Sequence, residues 1–302
     1  MATLRCELCD GELIKTADDV FRCRGCGCNY TREQALKLLG RGAGTGTGRT
    51  KTTDFEIAGG TLIRYHGEST DVTIPENVIA IGKEAFKDLK GLRSVRLPAG
   101  LREIGDSAFS GCYGLSEIKL PQGLREIGDK AFERCTGLRE LQIPQGVKVI
   151  KSNTFKSCTG LREIRLPQGL ETIERSAFDY CTSLTTVSFP AGIREIGSFA
   201  FEDCTSLTTV SFPASIREIG VYAFQNCKEL RGSFRFSDDA HIEGSAFSGC
   251  PCSVSTKESR RAAEVQASRW RSAGLCQHCG GTFKGGFFRA ETCSKCGKEK
   301  DY

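Results

Sequence analysis

LPAGLREIGDSAFSGCYGLSEIK, Leu97 to Lys119, is one copy of a 23-residue unit that recurs from about Pro75 to Cys250. Prolines stand at Pro75, Pro98, Pro121, Pro144, Pro167, Pro190 and Pro213. Phenylalanines stand at Phe86, Phe109, Phe132, Phe155, Phe178, Phe201, Phe224 and Phe247. Isoleucines from Ile81 to Ile242 and cysteines from Cys112 to Cys250 keep the same period. A fixed period of this length marks a solenoid, in which each coil buries its apolar face by stacking on the next. Within one unit, Leu115, Ile118 and Leu120 face inward as a short strand, and Pro121 closes it because it cannot donate a ladder bond. Leu124 to Gly128 returns along the other side. Ala131-Phe132 is expected in a short helical turn that Cys135 ends.

Stacking at a rise of about 4.8 Å per coil places Phe and Cys in interior columns. Neighbouring cysteines then lie within disulfide range in principle, or form a column of small buried thiols. Outward strand positions form columns as well. One runs Ser94, Glu117, Glu140, Glu163, Thr186, Thr209, and beside it runs Arg96, Lys119, Gln142, Arg165, Ser188, Ser211. The first half of this face is charged and the second half is Ser and Thr. Such a face is the natural binding surface of a solenoid. Arg96, Glu117, Lys119, Glu140, Glu163 and Arg165 are therefore the candidate residues for contact with a protein partner. The competing account is that cross-strand ion pairs simply keep the sheet soluble. A second ladder, Arg102-Glu103, Arg125-Glu126, Arg194-Glu195 and Arg217-Glu218, reads as a solvated face. The last coil is irregular: Ser233 and Arg235 replace Val210 and Phe212, and Phe234 and Phe236 are expected to take over the core after a bulge.

The pattern L-x-x-[IVL]-x-[LIF]-P, then x-x-[LIV]-x-x-I-G, then A-F-x-x-C resembles the BspA-like class of leucine-rich repeats over roughly 54–250. FEIAGGTLIRYHGESTDVTIP, Phe55 to Pro75, resembles the first coil of such arrays. The resemblance implies a β-rich, right-handed solenoid of about eight coils with parallel strands. It also implies a protein- or host-surface-binding role, many members being secreted adhesins.

Both ends differ in kind from the array. Cys6-x-x-Cys9 and Cys23-x-x-Cys26 are separated by 13 residues, and so are Cys276-x-x-Cys279 and Cys293-x-x-Cys296. Paired thiols at this spacing point to two structural four-cysteine zinc sites of the ribbon type, with a redox dithiol pair as the alternative. A unit of about 30 residues cannot bury enough apolar surface alone, so the metal would supply most of its folding energy. Cys28 is a fifth thiol that could replace Cys26. His278 lies between two ligands and is expected to be exposed, since four thiolates complete a tetrahedron. Phe283, Phe287 and Phe288 either pack the hairpin or stack on bases. The domain order is a ribbon with a short helix (1–40), a Gly/Thr-rich flexible linker (41–53), the solenoid (54–252), a basic helix (253–274) and a second ribbon (275–302). Ser255-x-x-Glu258 is the expected cap of that helix, over 256–273.

Net charge is +5, carried by the two ends, while the solenoid is mildly acidic. Four thiolates around zinc would add roughly two negative charges per site, which weakens any general affinity for polyanions. No apolar run approaches the ~18–20 residues of a membrane span. The stretch Met1 to Cys6 has no apolar h-region, so a cytoplasmic, reducing location is expected for the 17 cysteines. His66, His241 and His278 are scattered, and no P-loop, dinucleotide fingerprint or nucleophile–base pair stands out, so neither enzyme activity nor a small-molecule substrate is expected. The residues favour a protein-interaction scaffold. The alternative is a nucleic-acid-associated protein that uses the basic C-terminal helix and the ribbons.

Overall fold

The computed structural model of the chain describes residues 13–16, 20–23, 29–31, 50–52, 54–272, 283–284, 292–293 and 295. The chain forms two compact units. One comprises residues up to Arg231 with His241–Pro251, the other Gly232–Ala240 with the residues from Cys252 onward.

In the first unit the 23-residue period becomes a β-solenoid with two columns of parallel strands. The first column contains Asp71–Thr73, Ser94–Arg96, Glu117–Ile118, Glu140–Gln142, Glu163–Arg165, Thr186–Ser188 and Thr209–Ser211. The second contains Ala80–Ile81, Glu103–Ile104, Glu126–Ile127, Val149–Ile150, Thr172–Ile173, Glu195–Ile196, Glu218–Ile219 and His241–Ile242. Strands pair one period apart, as in Glu140 with Glu163 and Ile196 with Ile219. The array opens with an antiparallel hairpin, Phe55–Ala58 and Thr61–Tyr65, whose turn residues Gly59 and Gly60 both have positive φ, as a two-residue hairpin turn demands. Thr50–Thr52, inside the stretch read as a linker, pairs antiparallel with Phe55–Ala58.

The interior matches the periodic columns. Phe86 to Phe224 are fully buried, and successive rings from Phe86 to Phe247 stack 4.9–5.5 Å apart and within 13° of parallel. Tyr65 extends the stack at its start, 5.4 Å from Phe86. Cys112, Cys135, Cys158, Cys181, Cys204 and Cys227 are buried free thiols. Each S–H donates to the carbonyl of the Phe one coil earlier, as from Cys158 to Phe132 at 3.1 Å. Burial pushes Cys112 and Cys158 up to about 12, and Cys135, Cys181 and Cys204 also well above the ordinary thiol value.

The turn around Ala131-Phe132 is not helical, contrary to the expectation from sequence. Its N–H groups alternate between two kinds of partner. Those of Ala131, Glu133 and Cys135 close tight turns on Gly128, Lys130 and Phe132, at 3.3, 3.0 and 3.1 Å. Those of Lys130, Phe132 and Arg134 donate to Ser152, Thr154 and Lys156 of the next coil, at 3.0, 2.9 and 2.8 Å. Left-handed residues make this possible: Lys130 has φ 56° and Arg134 φ 60°. The pattern repeats from Glu84 to Asn226. A helix would keep every N–H inside its own coil. The alternation gives the solenoid a third inter-coil ladder, which satisfies backbone donors that are otherwise buried.

Both strand columns divide at one place. The first separates after Glu117–Ile118 and the second after Glu126–Ile127, so the coils 117–139 and 140–162 are not joined by strand pairing. The coil 140–162 combines two departures from the repeat. Lys151 replaces the glycine of Gly82, Gly105 and Gly128, and Thr154 replaces the alanine of Ala131 and Ala177. A Cβ on Gly128 would lie 2.5 Å from the Asp106 nitrogen of the preceding coil, so a side chain in this column forces neighbours apart. Glu174 tolerates the same column and keeps its N–H bond to Ile150 at 2.8 Å, so Lys151 alone is not sufficient. Thr154 adds bulk at a fully buried site, its hydroxyl bonded to the Lys151 and Gly128 carbonyls. Across this seam the coils remain tied by the turn ladder and by the Phe132–Phe155 stack, at 5.5 Å the widest of the column.

In the second unit, Ser233–Arg235 pairs parallel and in register with Ser253–Ser255; of the two phenylalanines expected in the core, Phe236 is buried and Phe234 is only half-buried. Helix α1, Lys257–Ser272, follows. Its cap lies one residue later than Ser255/Glu258. Thr256 Oγ1 accepts from the Ser259 N–H at 3.2 Å, and Ser259 Oγ accepts from the Thr256 N–H at 2.9 Å. Serine at the third position thus performs the reciprocal capping expected of Glu258.

Candidate functional site

The first strand column carries the candidate binding residues. Inward Val95, Leu141 and Ile164 are buried, and the flanking residues point to solvent. Ser94, Glu117, Glu140 and Glu163 fall in one column, as the period requires, but the seam separates Glu117 from Glu140. There Ile118 is only half-buried, whereas its counterparts are covered. Lys119, Glu140, Glu163 and Arg165 line the resulting cleft of about 200 Å³, with Leu120 and Leu141 at its base. Four of the six candidate residues therefore converge on one concavity, and Arg96 and Glu117 stand outside its lining.

The charges of this face are left largely unpaired. Among the described residues its one ion pair is within a strand, Arg165 Nε to Glu163 Oε1 at 2.8 Å, and this contact raises the Arg165 pKa. The cross-strand pairing lattice that would explain these charges by solubility is not formed. Cross-coil ion pairs do form elsewhere: Lys148 with Glu171 at 3.0 Å, Lys156 with Asp179 at 2.6 Å, and Lys151 with Glu126 across the seam. Asp71, at the start of the column, is held low by hydroxyl bonds from Ser94 and Thr70.

Among the described residues, the two histidines each face a separate glutamate. His66 Nε2 lies 3.2 Å from Glu56, His241 Nε2 lies 3.0 Å from Glu243, and His278 lies outside the described residues. Of the candidate metal ligands, Cys6, Cys9, Cys26, Cys276, Cys279 and Cys296 lie outside the described residues. Cys23 and Cys293 are described as strand backbone only. Leu13 pairs with Cys23, and Phe283 pairs with Cys293. Leu13 and Phe283 each stand four residues after the second cysteine of the first pair. The two ends thus share a hairpin register as well as a cysteine spacing. No helix among the described residues is long and apolar enough to cross a membrane.

The description "BspA type Leucine rich repeat region (6 copies)" matches residues 64–161 and 130–254. The chain belongs to the BspA-type leucine-rich repeat family. Proteins of this kind are typically interaction scaffolds without catalysis. A leucine-rich repeat protein from Bacteroides ovatus is 26% identical, with a TM-score of 0.57 over 68% of this chain; the match spans 62% of that protein's length. A leucine rich cell surface protein from Faecalibacterium prausnitzii is 23% identical, with a TM-score of 0.51 over 81% of this chain and 73% of that one, and shares the fold. No curated protein matches the chain.

Proposed function

We propose that this BspA-type chain is a non-catalytic scaffold that binds a protein through the charged half of its strand face, centred on the seam cleft. The observation that carries this reading is the seam cleft itself, where Lys119, Glu140, Glu163 and Arg165 converge on one concavity of the strand face. Arg96, Glu117, Lys119 and Glu140 have no ion pair among the described residues. Exposed pairs contribute little to stability in any case, so unpaired charges are retained at small cost and stay open to a complementary surface. In this reading the chain works in the cytoplasm, where its buried thiols stay reduced. The two cysteine tetrads, Cys6/Cys9/Cys23/Cys26 and Cys276/Cys279/Cys293/Cys296, hold structural zinc, supported by their matched spacing and hairpin register.

The test is a double reversal, Glu140→Lys with Glu163→Lys, in the full chain. Partners are captured from cytosol, and one is purified for titration. Affinity should fall by a factor of about 100 or more, because like charges then meet across a matched interface. Unchanged circular dichroism shows that the fold survives. Unchanged affinity in the folded variant refutes the assignment to this face. Nucleic acid on helix α1 is the second reading. Arg261 and Arg269 are exposed there, but Arg260 is tied to Asp238 and to Ser255, which removes one cation from phosphate binding. Salt-dependent retention on immobilised nucleic acid would favour that reading.

A further inference from the structure

The charged half of the strand face is sorted by sign. Each coil offers solvent three positions: the residue before the strand, the first strand residue and the residue two beyond it. The first row holds Arg93, Arg139 and Arg162, with Thr70 and Ser116 in the other coils. The middle row holds Asp71, Glu117, Glu140 and Glu163, with Ser94. The third row holds Arg96, Lys119 and Arg165, with Thr73 and Gln142. All six cations stand in the outer rows, exposed, and all four anions stand in the middle one. In the next two coils, Thr185 to Ser211, the same positions carry only Thr and Ser.

Stability does not ask for this order. Parallel strands in register set like on like: Glu140 lies opposite Glu163, and the Arg162 N–H donates to the Arg139 carbonyl at 2.7 Å, so these two arginines occupy adjacent coils. Like charges directly opposite destabilise a sheet, and Thr186 opposite Thr209 shows that the middle row accepts neutral residues. The order also leaves a surplus of cations. Outside these ten positions, residues 54–255 carry 17 basic and 22 acidic side chains. The second strand column, with the residues just before it, balances five cations from Arg102 to Arg217 with five anions from Glu103 to Glu218. An acidic body thus carries one face with cationic margins, which steers an acidic partner to that face. The middle row selects further. Nucleic acid would lay phosphates over Glu117, Glu140 and Glu163, whereas a polypeptide can set basic side chains there. The rows run across the strands, along the stack. An extended peptide turns a single row of side chains to one side, but a helix presents several parallel stripes, because neighbours at i+3 and i+4 align. Three coil steps, from Arg93 to Arg162, span about 14 Å, the length of about ten helical residues.

We propose that the protein partner lays an α-helix along the stack, with a basic stripe over Glu117, Glu140 and Glu163 and an acidic stripe on each side, over the two cationic rows. One apolar residue in the basic stripe would sit on Leu120 and Leu141 in the seam cleft. This rests on the reading of the strand face as a protein interface, and adds to it the partner's element and charge order.

The test titrates fluorescein-labelled, alanine-based helical peptides with the full chain and follows fluorescence anisotropy. One peptide carries a Lys stripe flanked on both sides by Glu, a second has the same composition in scrambled order, and a third has the signs exchanged. The first should bind about tenfold more tightly than either of the others, and should lose this advantage in high salt. Arg139→Glu with Arg162→Glu should weaken it about tenfold or more. Arg261→Glu with Arg269→Glu makes the same charge change at exposed positions of helix α1 and should leave it unaltered. Urea melts check that both variants fold. Equal affinity for the ordered and scrambled peptides overturns the proposal, as does an equal loss in the two variants. Binding of oligothymidylate that Arg139→Glu with Arg162→Glu abolishes would assign the face to nucleic acid and overturn it equally. Loss of the captured partner in the Glu140→Lys, Glu163→Lys chain, with no preference among the peptides, would overturn this proposal alone and leave the protein-binding reading standing.

Discussion

Raising the pH should unfold this protein through its cysteine column. Six thiols, from Cys112 to Cys227, are buried, and all six pKa values are raised above 9.0: by burial for five of them, to about 12 for Cys112 and Cys158, and for Cys227 by its hydrogen bond with Cys250 and then by burial. Between these limits the unfolded chain has released protons that the folded chain still holds. The folded state then binds more protons, so stability falls as pH rises from about 9 toward 12. Each such thiol contributes about 1.4 kcal/mol of loss per pH unit in this window, and six acting together contribute roughly 8 kcal/mol. A domain stability of about 5–15 kcal/mol would be largely consumed near pH 10. Urea midpoints followed by far-UV circular dichroism at pH 8, 9 and 10 measure the slope. Lysines and tyrosines titrate nearby, so the control is Cys158→Ser with Cys181→Ser and Cys204→Ser. Those hydroxyls can still donate to the Phe carbonyls but do not ionise, and the slope should be about halved, whatever the absolute stability of the variant. A flat profile from pH 8 to 10, or an unchanged slope in the triple variant, would refute the reasoning.

Phe155→Ala and Phe178→Ala should each cost about 3–5 kcal/mol, but only the first should split the denaturant transition in two, because Phe155 sits at the seam where strand pairing is missing; one shared cooperative transition for both would show that the seam does not divide the array. Metal analysis of chain purified without added zinc should find two ions per chain, and fewer than one, with the eight ligand thiols reactive, would exclude the tetrads. Asp179 is 2% exposed, burial raises its pKa despite Lys156 at 2.6 Å, and its Oδ1 has no partner among the described residues. The raised carboxyl favours the protonated folded state, so its contribution declines as pH rises above the unfolded carboxylate value. Asp179→Asn should therefore be no less stable than the parent at pH 7 and should lose relative advantage at pH 4; a marked destabilisation at pH 7 in thermal melts would show that the Lys156 pair outweighs the burial cost.

The core was legible because one apolar residue in the wrong coil would break the period, so Phe86 to Phe247 and Cys112 to Cys250 announce their own neighbours. The third ladder was not legible. Its left-handed positions carry Glu84, Lys130, Arg134 and Tyr180, residues that give no turn signal, because the ladder bonds rather than the side chains hold them there. The seam was hidden for a related reason. Lys151 and Thr154 look like ordinary surface and core variation until a Cβ is placed against the preceding coil. For the strand face, the sequence supplied the columns of Glu, Lys and Arg, but pairing depends on side-chain geometry that spacing does not determine.

Away from the seam, each internal coil turns its donors and acceptors toward an adjacent copy of the same pattern, and this frees the protein's length from its design. A copy inserted in phase finds the same carbonyls above and the same N–H groups below, so nothing elsewhere must be rebuilt. Ser183 to Phe189 and Ser206 to Phe212 are identical in sequence, as a copy of this kind would leave them. The distance from the opening hairpin to the final coil is therefore a count of repeats, adjustable in whole steps, and the array can serve as a ruler whose graduations are set by gene duplication.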